Sequence, residues 1–245
     1  MKSQNKRAEI QFFDRFDKKG GYDVLDGSGY SKILDFMKGK LKKKNGMTIV
    51  DMGCGSGAFT SHLAKEFPES NIVGLDISRG CIRRAKKELQ DLVFVVDDVE
   101  KTKIKNDSVD IVWYSGILHH FADFSKVAKE AFRILKPGGI VFSYDPNFYN
   151  PAFWLYRHPL SPFYSKVGIT SNERLLKAPE VKRVFENAGF KMKVQAISGI
   201  KFRYVESKRT RPLLAVYNVF DKILGITPFA YYLGAFLVGY GKKKS

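Results

Sequence analysis

Between residues 47 and 145 the chain alternates two hydrophobic patterns. Short apolar runs at 47–51, 71–76, 92–97, 109–114 and 140–144 have the length and composition of strands buried on both faces. Residues 59–67, 78–89 and 123–135 instead place apolar side chains every three or four positions, the period of an amphipathic helix. Ser78 can cap the second of these helices, and Lys136-Pro137-Gly138-Gly139 stops the third. Strands alternating with helices predict a parallel sheet covered on both sides. Upstream, residues 2–45 read as two helices. Ile10, Phe12, Phe13 and Phe16 line one, and Ile33, Leu34, Phe36, Met37 and Leu41 line the other, with a glycine-rich connection at 20–29.

Downstream the pattern loosens. Residues 146–170 hold four prolines and many aromatics, among them Phe148, Tyr149, Phe153, Trp154, Tyr156, Phe163 and Tyr164. This composition predicts a structured, lid-like segment over the strand ends. Residues 171–188 read as a helix broken at Pro179 and closed by Gly189. A sixth strand is expected at 190–197 and a last one at 235–240, separated by an insertion at 198–234. The whole is expected to be one domain over 1–245: a helical cover (1–45), a ligand-binding core (46–145), the lid-like segment and the insertion.

Composition changes little in this picture. With 245 residues, 44% hydrophobic and 27% charged, the chain is ordinary globular protein with enough length for a sizeable core. Two cysteines, Cys54 and Cys81, are too few for a disulfide framework and lack zinc-site spacing, so a cytoplasmic setting and no metal are expected. Residues 1–17 are charged throughout and carry no secretory signal core. The net charge of +17 favours anionic partners.

In an open parallel sheet, ligands bind beyond the carboxyl ends of the strands. Three early strands end in acids there: Asp51, Asp76 and Asp97-Asp98. The first runs into Gly53-Cys54-Gly55-Ser56-Gly57, where glycines permit a tight turn and close approach of a ligand to the main chain. Cys54 is read as a small space-filler. Asp76, about 20 residues beyond the loop, can hold two ribose hydroxyls. A glycine loop alone does not separate methyl transfer from hydride transfer.

The ordered set of segments is more specific. Val50-Asp51-Met52-Gly53-Cys54-Gly55-Ser56-Gly57 resembles the first motif of class I S-adenosylmethionine-dependent methyltransferases, and Gly74-Leu75-Asp76-Ile77-Ser78 the second. Asp97-Asp98-Val99-Glu100 resembles their adenine-contacting segment. Residues 110–115 with Leu118-His119-His120-Phe121 resemble the fourth strand and its loop, and Arg133–Gly139 the approach to the fifth strand. The resemblance covers residues 47–145. It implies a Rossmann-like three-layer α/β sandwich whose seven-stranded, mostly parallel sheet has an antiparallel last strand beside the fifth. It implies S-adenosyl-L-methionine as cofactor, released as S-adenosyl-L-homocysteine.

By the same resemblance Asp51, Gly53, Cys54, Gly55 and Gly57 surround the methionine part, Asp76 holds the ribose and Ile77 packs on adenine. Asp98 accepts from the adenine amino group beside Asp97, Val99 offers its backbone, and Ser115 lines the methionine side. The group that these motifs resemble acts in quinone biosynthesis and on other small molecules. A nicotinamide-dependent oxidoreductase and a non-catalytic S-adenosylmethionine-binding protein are the competing readings.

Methyl transfer needs a base only where the acceptor must lose a proton. His119 and His120 are the candidates, against the plainer reading that they pack the loop. Asp145, Asn147 and His158 are placed to touch an acceptor, whereas His62 reads as structural. A small-molecule or lipid-like acceptor, methylated on oxygen or carbon, is expected. The insertion mixes Lys201, Arg203, Lys208, Arg209 and Arg211 with an apolar helix, which reads as a surface for anionic membranes, reinforced by Lys242-Lys243-Lys244. Residues 223–241 lack charge, but their glycines and the strand at 235–240 speak against a membrane span. RNA ranks last as acceptor, because no RNA-binding module is recognisable.

Overall fold

Apolar strands buried on both faces form the centre of the molecule. The computed structural model describes residues 5–18, 25–41, 45–164, 170, 172–202 and 211–244. Seven strands form one sheet: β1 (Thr48–Met52), β2 (Asn71–Asp76), β3 (Val93–Val96), β4 (Val109–Ser115), β5 (Leu135–Pro146), β6 (Phe190–Ile197) and β7 (Phe236–Lys243). Their order is β3-β2-β1-β4-β5-β7-β6. The first five run parallel, and β7 pairs antiparallel with both β5 and β6. The expected three-layer sandwich, with its insertion before an antiparallel last strand, is the observed architecture.

The chain order reverses at β1, between β2 and β4, so the crevice where ligands bind opens beyond β1 and β4. Helices α3 (Ala58–Glu66), α4 (Arg79–Glu88), α5 (Ser125–Ile134) and α7 (Ala178–Asn187) connect or follow strands of the sheet. One core gathers β4 and β5 side chains with α5 and α7, including Tyr114, Phe124 and Phe185. The other gathers Trp113 and Phe142 with Phe59 and with Ile33 and Met37 of α2 (Gly27–Lys38). Phe59 stacks on Trp113 at 4.8 Å between ring centroids, a contact worth about 1 kcal/mol beyond its buried area.

Three local readings are corrected. Pro179 begins α7 rather than breaking it: its missing N–H falls in the first turn, where no helical partner exists. Residues 172–177 are extended or turned, and Leu176 forms a bridge with Asn147. The segment 135–139 belongs to β5, entering the sheet through a register shift between Val109 and Ile111. Asn147 is fully buried, and its amide donates to the Tyr232 and Gly234 carbonyls at 2.7 and 2.8 Å. It clamps the insertion and does not face an acceptor. Residues 20–24 of the predicted connection at 20–29, together with Arg203, Lys208 and Arg209, lie outside the described residues.

The insertion contributes α8 (Leu214–Leu224) and the short α9 (Ala230–Leu233). Asp221 on α8 accepts from the backbone N–H groups of Gly199 and Ile200, at 2.6 and 3.0 Å, which pins the helix to the exit of β6. No helix among the described residues is long and apolar enough to cross a membrane.

Asn147→Ala leaves the buried Gly234 carbonyl and the part-buried Tyr232 carbonyl without this donor. It is expected to lower unfolding free energy by about 1–3 kcal/mol in urea titration, and an unchanged midpoint would show that the clamp is not needed.

Candidate active site

The strand ends and the glycine loop surround a large cavity of about 1160 Å³. Gly53, Gly55 and Gly57 all have positive φ, of 75°, 54° and 86°. At Gly53 an added Cβ would lie 2.2 Å from Cδ1 of Ile117, so a side chain is excluded by space as well as by conformation. At Gly55 a Cβ would meet nothing within 4 Å, which leaves the main chain open to a bound group. Asp76 accepts from the N–H of Gly55 at 2.9 Å and of Ser78 at 2.8 Å, locking loop and strand end together. Burial pushes its pKa up, against those two donors. Gly53, Cys54, Gly55, Asp76, Ile77, Asp98, Val99, Ser115, His119 and His120 all line the cavity.

The remaining predicted cofactor residues stand behind the wall. Asp51 is wholly buried and accepts from Thr60 Oγ1 at 2.7 Å and from Ser115 Oγ at 2.5 Å. Burial raises its pKa to about 6, against those hydroxyls. Its visible role is to orient Ser115. Gly57 begins α3 and packs against Phe94 and Leu89. Asp97 accepts from the N–H groups of Asp98 and Lys103, fixing the turn after β3. Cys54 fills space under Gly74, and burial pushes its thiol pKa well up, which opposes a nucleophilic role.

The helical cover takes a direct part that sequence patterning did not reveal. Lys6, Glu9, Phe12 and Phe13 of α1 (Lys6–Lys18) face the cavity. Lys6 donates to Asp98 at 2.5 Å and also pairs with Glu100. Asp14 accepts from Ser78 Oγ at 2.6 Å and Gly80 N–H at 3.0 Å, joining α1 to the start of α4. The only trace of this in the sequence was the apolar face containing Phe12 and Phe13; the acid at position 9 gave no separate signal.

The two histidines are brought into contact, with ring centroids 4.2 Å apart. The backbone N–H of His119 donates to Asp145 Oδ1 at 3.0 Å, and Nδ1 of the same residue lies 2.9 Å from that oxygen. Burial drives the His119 imidazole down to about 3 and the Asp145 carboxyl up to about 8. Asp145 therefore holds His119 and stands off the cavity wall. His120 Nδ1 lies 3.2 Å from both Thr170 Oγ1 and Glu9 Oε2. Burial disfavours charge on His120, yet the Glu9 hydrogen bond and the charges of Glu173 and Glu9 raise its pKa above the ordinary value. Neighbouring imidazoles are thus pushed in opposite directions, which leaves His119 a poor proton acceptor and makes His120 the stronger base of the two.

His158 lines the outer cavity, stacked on Trp154 at 5.0 Å, and His62 packs on Tyr30, as a structural residue would. The sequence offered no metal-ligand spacing, but the fold brings ligand-type atoms of His119, His120 and Glu173 within 4.8 Å of one another.

A glycine loop and strand-end acids at the switch point of a doubly wound sheet stand where folds of this kind bind their ligands. Residues 50–143 match the family model described as a methyltransferase domain. The demethylmenaquinone methyltransferase of Lactococcus lactis is 28% identical over 77% of this chain and 85% of its own length. The 2-methyl-6-phytyl-1,4-hydroquinone methyltransferase of Synechocystis is 36% identical, over 42% of this chain and 33% of its own. Phosphoethanolamine N-methyltransferase 2 of Haemonchus contortus, solved with S-adenosylhomocysteine, shares the fold. Its TM-score is 0.66 at 15% identity, covering 100% of this chain and 61% of that one. Residues 50–143 carry a methyltransferase domain, and the chain is an S-adenosylmethionine-dependent methyltransferase. The nicotinamide and non-catalytic readings gain no support.

Asp145 keeps a proton in the folded protein up to pH about 8, whereas an unfolded carboxyl loses it near pH 4. Its contribution to stability is thus complete at low pH and is lost as pH rises through this window. Above the ordinary histidine range, His119 no longer offsets that loss. Between pH 6.5 and 8 the wild type is therefore expected to lose unfolding free energy more steeply than Asp145→Asn, read from urea melts. Equal slopes would contradict the assignment.

Proposed function

We propose that the chain methylates a small, largely apolar acceptor of quinol-like or lipid-like character on carbon or oxygen. One observation carries this reading: the cavity is walled by Phe148, Phe153, Phe163, Leu155, Leu214 and Tyr217, and His119, His120, Glu9, Thr170 and Glu173 form a polar cluster on the same wall. Such a chamber accepts an apolar body and leaves one functional group at the reacting end. The relatives named as demethylmenaquinone and hydroquinone methyltransferases support the same reading.

S-adenosylmethionine supplies an activated methyl group and leaves as S-adenosylhomocysteine, with one proton released from an O–H or C–H acceptor. The glycine loop and Asp76 would hold its methionine and ribose parts. Ile77, Val99 and Asp98 would hold the adenine, and Ser115, oriented by Asp51, would line the methionine side. His120, backed by Glu9, is the proposed proton acceptor. His119, kept neutral by its burial and positioned by Asp145, shapes the pocket beside it. The domain is proposed to act as one unit, with residues 146–170 covering the acceptor and α1 covering the cofactor.

The acceptor is proposed to reach the chamber from an anionic membrane surface. Val216, Val219, Phe220 and Ile223 recur at helical spacing on α8, each more than 40% exposed. Ile226, Phe229, Tyr231 and Tyr232 extend the same apolar character, at 61–87% exposure. Leu213 is both exposed and part of the cavity wall, so this face meets the chamber mouth. A patch of this kind on a chain of net charge +17 fits an interfacial helix.

Calorimetry with S-adenosylmethionine should show binding by wild type and a loss of about tenfold or more in Asp76→Ala; unaltered affinity would remove Asp76 from the site. Incubating quinol-containing lipid extract with labelled cofactor should transfer label to an apolar product, and label appearing only in water-soluble compounds would refute the acceptor class.

Flotation with phosphatidylglycerol-containing vesicles at low salt should carry the protein upward, and Val216→Glu with Ile226→Glu should abolish this. Failure of wild type to float would exclude the membrane route.

A further inference from the structure

The acceptor end of the chamber contains a cation that the cofactor site does not use. Arg157, the last residue of α6 (Pro151–Arg157), lines the cavity with its side chain only 13% exposed. Its guanidinium lies 4.5 Å over the Tyr156 ring. Its Nε stands 3.9 Å from Glu173 Oε1, at the outer limit of an ion pair, and the buried Nη1 has no hydrogen-bond partner.

The other described cations on this wall are engaged. Lys6 is held by Asp98 and Glu100. Arg174 makes two bonds to Glu180 and one to the Phe121 carbonyl. A guanidinium carries five donors and never loses its charge in a protein, so a buried unbonded arm is costly unless a ligand completes it. The ligand must be an acceptor of hydrogen bonds, and the charge favours an anion.

We infer that Arg157 is the receptor for an oxyanion carried by an otherwise apolar acceptor, the ionised hydroxyl of an aromatic ring or a carboxylate. The inference rests on the proposed apolar acceptor and adds the chemical group that such an acceptor must bear. An apolar body fits the aromatic walls, and the oxyanion lies between Arg157 and the His119–His120 end. An ionised ring hydroxyl is also the form that makes its own oxygen, or its ring carbons, able to attack a methyl group.

Charge around the site agrees with an anion more readily than with a metal cation. His119, His120 and Glu173 are close enough to share a cation, but Arg157 places a permanent positive charge beside them. That charge acts on His119, opposing imidazolium formation there.

The test uses the protein saturated with S-adenosylhomocysteine, and 2-naphthol and 2-naphthoate as probes. Absorbance reports ionisation of bound 2-naphthol directly. Wild type is expected to lower its apparent pKa by about one unit or more and to hold the favoured anion about tenfold tighter than Arg157→Gln does. Arg157→Lys should restore part of the shift, and an unchanged affinity for S-adenosylhomocysteine establishes that the variants fold. Dependence on Arg157 for 2-naphthol alone assigns the site to ring hydroxyls, and for 2-naphthoate alone to carboxylates; both support an oxyanion receptor. Equal binding of both probes by wild type and Arg157→Gln overturns the inference and leaves the apolar-acceptor reading intact. Binding that requires added zinc and ignores Arg157 overturns it in favour of a metal site. If neither probe binds wild type, the apolar-acceptor reading falls and this inference falls with it.

Discussion

Asp51 is a carboxylate without access to water at the end of the central strand, and its two hydrogen bonds join three elements. Thr60 brings in α3, Ser115 brings in β4, and Asp51 itself belongs to β1. Desolvating such a group without partners would be prohibitive, so the glycine loop, α3 and β4 must meet in one arrangement. That arrangement sets where the loop turns and where Ser115 presents its hydroxyl. The cradle's shape thus follows from a group that does not line the cavity.

The same division of labour recurs at the acceptor end. Asp145, buried at the end of β5, accepts from the main chain and side chain of His119. Asp76 does likewise for Gly55 and Ser78. Acids at strand ends hold loops in place, and three of the groups so held, Gly55, Ser115 and His119, line the cavity. Lys6, Glu9 and Asp14 carry this pattern onto α1, so that wall of the cavity is fastened by charge and hydrogen bonding as well as by Phe12 and Phe13.

The sheet was legible because its signals are local. Apolar runs of strand length, an acid at each end and glycines at the turn all fall within short windows between residues 47 and 145. The order of those windows then distinguished this fold's cofactor from others that use a glycine loop. Whether an acid faces inward or outward is not local. Asp51, Asp76 and Asp98 occupy equivalent strand-end positions, yet Asp51 is a strut while the other two reach the wall. Asn147, read as an acceptor contact, is turned inward because carbonyls more than eighty residues away need its amide. Pro179 was misread because one proline can end a helix or begin one, and only the extended chain before it settles which. Arg157 and Glu173 gave no signal, since each is an isolated charge brought to the site by segments without periodic pattern.

Placing β7 between β5 and β6 has a consequence for how the protein comes into being. The strands on either side of that gap are complete by residue 197, but they cannot join until residues 236–243 are available. Lys243 then donates to the Phe132 and Leu135 carbonyls and pairs with Asp107, sealing the lower edge of the sheet. During synthesis the cofactor half can assemble early from near neighbours in sequence, while the acceptor half waits on a long loop closure. Until then β5 presents an unpaired apolar edge, the kind of surface that invites association with other chains. The last strand laid down therefore acts as the step that commits the nascent chain to its own fold.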